Sequence, residues 1–81
     1  MINIPKIIKV IPGNNLMLEV FFSDGVIKKY DCKKIKSRCE YFYRLENFSY
    51  FKNVSIDAGG YGVSWDNDID ISENEIYSLS D

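Results

Sequence analysis

The chain has 81 residues, is 46% hydrophobic, contains twelve aromatic side chains and carries a net charge of −2. That size allows a single domain, residues 1–81, burying roughly 60–65% of its unfolded surface, and that composition excludes a disordered chain. No apolar run approaches the roughly 20 residues that span a bilayer. Prolines and lysines interrupt "MINIPKIIKVIPGNN" where a secretory signal needs an unbroken apolar stretch, so a cytoplasmic protein is expected.

The charge is unevenly spread. Residues 1–52 carry ten basic and five acidic groups, whereas residues 53–81 carry seven acidic groups and no basic ones. Such a chain is a charge dipole in sequence. Cys32 and Cys39 have no histidine to join them. In a cytoplasmic protein they are expected as reduced thiols. The Asn-x-Ser matches at Asn47 and Asn53 carry no weight without secretion.

In chain order, "PKIIKVIP" (5–12) is a β-branched run bounded by prolines, an edge-type strand. "LMLEVFF" (16–22) alternates, with Leu16, Leu18, Val20 and Phe22 on one face and Met17, Glu19 and Phe21 on the other. "SDG" (23–25) signals a hairpin to "VIKKYD" (26–31). A three-residue loop with Gly25 left-handed pairs Leu18 with Tyr30, Glu19 with Lys29 and Phe22 with Val26. That register is preferred over a two-residue loop, which would set Glu19 against Tyr30 and Val20 against Lys29. Ser37 and Glu40 have capping-box spacing ahead of Phe42 and Leu45, predicting a helix of about ten residues over 37–47 that stops at Asn47. "NVSID" (53–57) and "VSWD" (63–66) predict two strands around the flexible "AGGYG" (58–62). Ser72 and Glu75 repeat the capping-box spacing and predict a last helix burying Ile76 and Leu79. The expected fold is α+β, about five antiparallel strands in one small sheet with two short helices, ordered β-β-β-α-β-β-α.

"SWDNDIDIS" (64–72) is the stretch that could carry chemistry. Asp66, Asp68 and Asp70 match the first three acidic positions of a calcium loop, but Ile71 stands where that loop needs glycine and Tyr77 where it needs glutamate. A divalent site from Asp66, Asp68 and Glu73 is the weaker alternative, and a catalytic carboxylate pair is weaker still, because these side chains sit in a polar turn where solvation is the default. The fitting account is a junction. Trp65 ends a strand and plugs the core, and Asp66-Asn67 turns through side-chain-to-backbone bonds. Ile69 and Ile71 then alternate with Asp68 and Asp70, and Ser72 opens a helix. No cofactor or metal is expected.

The order "L-x-V-x-F-x-D-G-x-x-x-x-Y-D", "F-x-x-L", "F-x-x-V-x-I-D" and "W-x-x-x-I-D-I-S-x-x-x-[I/L]-Y" spans the chain from about residue 5 to 77. It is carried by Leu18, Val20, Phe22, Asp24, Gly25, Tyr30, Asp31, Phe42, Leu45, Phe51, Val54, Ile56, Trp65, Ile69, Asp70, Ile71, Ile76 and Tyr77. It resembles the small bacterial domain family of unknown function numbered 2442, most specifically in the closing Trp-to-Tyr block. The resemblance implies a small α+β domain, alone or fused to a helix-turn-helix domain. It also implies a place as second gene in two-gene modules like toxin–antitoxin pairs, and it supplies no catalytic residue.

The sequence bears on three classes of function. An enzyme is not expected: there is no histidine to act as base, Cys32 and Cys39 lack an activating partner, and "GGYG" lacks the Lys-Ser/Thr of a phosphate loop. A nucleic-acid-associated role would use Lys28, Lys29, Lys33, Lys34, Lys36 and Arg38, six basic residues in eleven. Lysines at a solvated strand end and turn, guarding an exposed sheet edge, explain them better, and a pI of about 5.0 opposes a dedicated nucleic-acid binder. The expected class is a non-catalytic, antitoxin-like module that binds a protein partner such as a basic toxin or nuclease. Its acidic end comprises Asp66, Asp68, Asp70, Glu73 and Glu75 with the terminal Asp81. Its aromatic anchors are Tyr41, Tyr43, Phe48, Tyr50 and Tyr61, too many for so small a core. The same acids could instead neutralise the chain's own lysines, within one molecule or across a homodimer.

Overall fold

A computed structural model describes residues 4–79, so Asp81 lies outside the described residues. Strands β1 (Ile7–Pro12), β2 (Met17–Phe22) and β3 (Ile27–Asp31) form one antiparallel sheet in that order. Strands β4 (Ser55–Ile56), β5 (Gly62–Asp66) and β6 (Ile69–Ser72) form a second. Two helices complete the α+β fold, α1 (Phe48–Phe51) and α2 (Glu73–Leu79), with 3₁₀ turns at Cys32–Ile35, Phe42–Glu46 and Ala58–Gly60.

The hairpin forms in the expected register. Leu18 faces Tyr30 and Glu19 faces Lys29. Phe22 N–H donates to Val26 O at 2.9 Å, and Gly25 takes a φ of 90° that side-chain-bearing residues rarely adopt. The alternation in β2 puts Leu18, Val20 and Phe22 in the core, each no more than 1% exposed. Burying such a side chain contributes roughly 1.5–3 kcal/mol.

Three expectations are corrected. Among the described residues there are six strands in two sheets rather than about five in one. Asp31 ends β3 by accepting the Lys33 N–H at 2.9 Å, which starts a 3₁₀ turn and carries the chain away from the first sheet. The Ile69/Ile71 alternation is a strand in its own right, pairing with β5. Second, no helix spans 37–47. Phe42 and Leu45, three apart, are buried in a 3₁₀ turn that repeats every three residues, and Asn47 then caps α1 by accepting the Ser49 N–H at 2.9 Å. Third, Leu79 is 54% exposed, so α2 buries Ile76 alone as its fully enclosed side chain.

One core joins both sheets with Cys32, Ile35, Phe42, Leu45, Phe51 and Ile76. Trp65 is half-buried, stacks on Phe51 at 5.7 Å and donates its Nε1–H to Phe51 O at 2.8 Å. Helix α2 is fastened to the β2–β3 hairpin. Tyr77 meets Phe22 edge-on at 5.0 Å and donates to Asp24 Oδ2 at 2.9 Å, and the buried Tyr30 hydroxyl donates to Glu75. Cys32 is buried and Cys39 half-buried, both unbonded. Among the described residues, no helix is long and apolar enough to cross a membrane.

Candidate protein-docking surface

The Asp66-Asn67 turn forms as the residue types dictate. Asp66 Oδ1 accepts the Asp68 N–H at 2.9 Å and the Ile69 N–H at 3.2 Å, which tightens the β5–β6 connection. The other carboxylate oxygen is left pointing outward. It meets Arg44 Nη1 at 3.1 Å and accepts the Tyr50 hydroxyl. Arg44 also donates to Asp68 Oδ2 at 3.0 Å. Because Phe42 and Leu45 bury themselves, the 3₁₀ turn presents Tyr43 and Arg44 to solvent. Its three-residue repeat stacks the Arg44 guanidinium 4.2 Å from the Tyr41 ring centroid.

Five of the predicted residues thereby converge on one cation: Tyr41, Tyr43, Tyr50, Asp66 and Asp68 surround Arg44. A hollow of about 370 Å³ opens between Tyr43, Arg44, Asn47 and Tyr50. Across Tyr41, a second hollow of about 280 Å³ has Ile35 and Ile69 in its lining and Glu40, Asp68 and Asp70 among its polar groups. At Tyr41 the acidic groups outweigh Arg44. The Glu40 charge, then that of Asp68, raises the Tyr41 hydroxyl above its ordinary value. Burial and the bond to Asp66 push the Tyr50 hydroxyl up to about 12. The Tyr50 hydrogen bond and the turn's backbone donors hold Asp66 below the usual carboxylate value, and the bond to Asp68 raises Arg44.

Of the remaining predicted residues, Asp70 borders this surface, lining the second hollow from an exposed position on β6, and the others lie elsewhere. Glu73 pairs with Lys6 at 3.5 Å, and that lysine lies 3.8 Å over the exposed Tyr61 ring. Glu75 binds Tyr30 and Arg38 instead of closing the capping box, of which only the Glu75 N–H to Ser72 Oγ bond forms, at 3.2 Å.

The chain belongs to a family of unknown function. The profile of the family described as Protein of unknown function (DUF2442) matches residues 7–81. No curated protein and no solved structure matches the chain. A DUF2442 chain therefore offers its own geometry as the guide to function.

On that geometry the basic cluster is divided. Lys28 and Lys29 are neighbours on a strand and so face opposite sides of it, Lys28 over the Tyr77 ring and Lys29 opposite Glu19. Lys33 bonds Asn15 O and Asp31, Lys34 the last carbonyl of α2, and Arg38 Glu75, while Lys36 lies over Phe42. Two residues central to these clusters, Arg44 and Lys6, were not singled out by sequence. The signal available for Arg44 was its three-residue spacing from Tyr41. The partners of Lys6 are distant in the chain and left no local trace.

Proposed function

We propose that this chain is a non-catalytic binding module that neutralises or regulates a basic protein partner, in the manner of an antitoxin acting in the bacterial cytoplasm. The supporting observation is the convergence of Tyr41, Tyr43 and Tyr50 with Asp66 and Asp68 around Arg44. Tyrosine and arginine are the residue types that anchor protein interfaces, and the excess of acidic groups at Tyr41 favours a cationic partner. The buried thiol of Cys32 supports the non-catalytic reading: burial pushes it up to about 12, so it is not a ready nucleophile. The division of the lysines over several faces favours a protein partner over nucleic acid.

The test is affinity capture from host lysate with and without nuclease, followed by titration of the captured protein. A partner that survives nuclease, binds at one-to-one stoichiometry and loses at least tenfold affinity to Tyr43→Ala or Asp68→Lys is expected. Loss of all binding on nuclease treatment, or capture by the folded variants at wild-type affinity, would sink the proposal.

A further inference from the structure

The hollow of about 280 Å³ beside Tyr41 is built in two levels. Its apolar lining comes from three places in the chain: Ile35 closes the 3₁₀ turn after β3, Cys39 follows that turn, and Ile69 opens β6. Ile35 and Ile69 belong to the core, so packing beneath them fixes this floor. Arg38, Glu40, Asp68 and Asp70 supply the charges. Two of these are already matched, Arg38 by Glu75 and Asp68 by Arg44. Glu40 and Asp70 form no ion pair among the described residues. Two carboxylates are thus left over beside one hollow whose floor is apolar.

We infer that this hollow receives one lysine side chain of the protein partner, its aliphatic stem on the Ile35–Ile69 floor and its ammonium among Glu40, Asp68 and Asp70. The inference rests on the docking surface proposed above, which this hollow borders. Size, layering and charge point to the same occupant. A volume of about 280 Å³ lies just under the roughly 300–1,000 Å³ of small-molecule sites, so it suits a single long side chain. An apolar floor with acids around it matches a side chain that buries its stem and keeps its charge at the tip. The surplus carboxylates call for a cation, and Arg38 does not supply it because its guanidinium is bonded to Glu75. Glu40 and Asp68 both act on the Tyr41 hydroxyl, which sets their charges on the same part of the rim. A lysine ammonium can turn its three donors to three separate acceptors, whereas the planar arginine fork is best matched to one carboxylate. Pairs this exposed are weak in water. They strengthen once the partner covers the neighbouring Arg44 surface and excludes solvent, so the lysine acts as a specificity contact within a larger interface.

The test is an NMR titration of the whole ¹⁵N-labelled chain with Nα-acetyl-lysine N-methylamide, up to roughly 50 mM. Saturable shifts centred on Cys39, Tyr41, Ile69 and Asp70 are expected, with a dissociation constant in the millimolar range. The norleucine analogue, which keeps the stem and lacks the charge, is expected to give none, and the arginine analogue to bind at least threefold more weakly. Glu40→Gln and Asp70→Asn, both at exposed positions, are each expected to weaken lysine binding at least threefold with an unchanged circular dichroism spectrum. If one variant fails to fold, the other decides. Shifts that do not saturate, an equal response to norleucine, tighter binding of arginine, or indifference to both substitutions overturns the inference. The titration needs no partner, so it separates this site from the Arg44 surface. Lysine binding with no protein captured leaves the lysine site standing and sinks the docking proposal alone. A captured protein is expected to lose at least tenfold affinity to Glu40→Gln or Asp70→Asn. One that loses affinity to Tyr43→Ala but binds both of these variants as it binds wild type upholds the docking surface and overturns the lysine site.

Discussion

Two clusters in this molecule are built from the same three groups, an arginine, a carboxylate and a tyrosine. In one, Arg38 and Tyr30 bind Glu75; in the other, Arg44 and Tyr50 bind Asp66, with Asp68 beside it. They differ in burial. Tyr30 is fully enclosed and the Glu75 side chain is 16% exposed, whereas the side chains of Asp66 and Asp68 are 34% and 46% exposed. The enclosed cluster fastens α2 to the first sheet. The open one faces solvent with Tyr43 exposed beside it. Shared chemistry therefore does not assign a shared role. The environment decides whether a charged cluster holds the fold together or is available to a partner.

The sharpest way to break this contrast is to truncate one tyrosine on each side of it, the enclosed Tyr30 and the exposed Tyr43 beside Arg44. Tyr30→Ala removes a fully buried ring and is expected to cost about 3–5 kcal/mol, a large part of the stability of so small a domain. Tyr43→Ala, at a 63% exposed position, is expected to change stability by less than about 0.5 kcal/mol. Urea denaturation of the two variants measures both. Equal losses would show that the open cluster is also part of the structural frame.

Next in size is the carboxylate. Glu75→Ala leaves the Tyr30 hydroxyl buried without its acceptor and removes an acidic group from the first turn of α2. The expected cost is about 1–3 kcal/mol. Arg44→Ala breaks only exposed pairs and should leave the denaturation midpoint close to wild type while weakening partner capture. Adding Tyr30→Phe to Glu75→Ala removes the stranded hydroxyl and is expected to recover part of the loss. A double variant no better than the single would show that the bond is not the source of the cost.

The enclosed cluster also sets an alkaline limit. Burial, reinforced by Glu75, raises the Tyr30 hydroxyl, and burial pushes the neighbouring Cys32 thiol up to about 12 from an ordinary 9.0. A folded value above the unfolded one means the folded state holds the proton more tightly. Its contribution is complete below the unfolded value and is lost as pH rises through the folded one. For Cys32 that window runs from 9.0 to about 12, with a slope of about 1.4 kcal/mol per pH unit from this one group. Cys32→Ala should flatten the loss, as measured by urea midpoints across that range. An unchanged slope would reassign it to other groups.

Legibility in the sequence follows the same division between local and distant causes. The β2–β3 register was readable because Asp24-Gly25 fixes the loop and alternation fixes the face, both within fifteen residues. The Asp66 turn was readable for the same reason. In the segment after β3, capping-box spacing at Ser37 and Glu40 suggests an α-helix, while Cys39, Phe42 and Leu45 carry the three-residue repeat of the 3₁₀ turn that forms. The acidic end was seen as one surface, but its members divide among Arg44, Lys6 and Arg38, which come from three separate segments. Only the closed fold brings those segments into contact.

The smallest expected effect tests the open cluster against acid. The Tyr50 hydrogen bond and the turn's backbone N–H groups hold Asp66 below its ordinary value, with Arg44 adding to them. A depressed folded value has the opposite sign to the thiol's: its contribution is present above the unfolded carboxylate value and is lost as pH falls through the folded one. Asp66→Asn keeps the turn's acceptor oxygen but removes this titration, so its stability should fall less steeply than that of wild type below about pH 4. Salt screens only the Arg44 share of this effect, so the difference should shrink in part as salt is added. A difference between Asp66→Asn and wild type that persists unchanged in high salt would assign the shift to the Tyr50 and backbone hydrogen bonds alone, and the Arg44 ion pair would be shown to add nothing to the open cluster's stability.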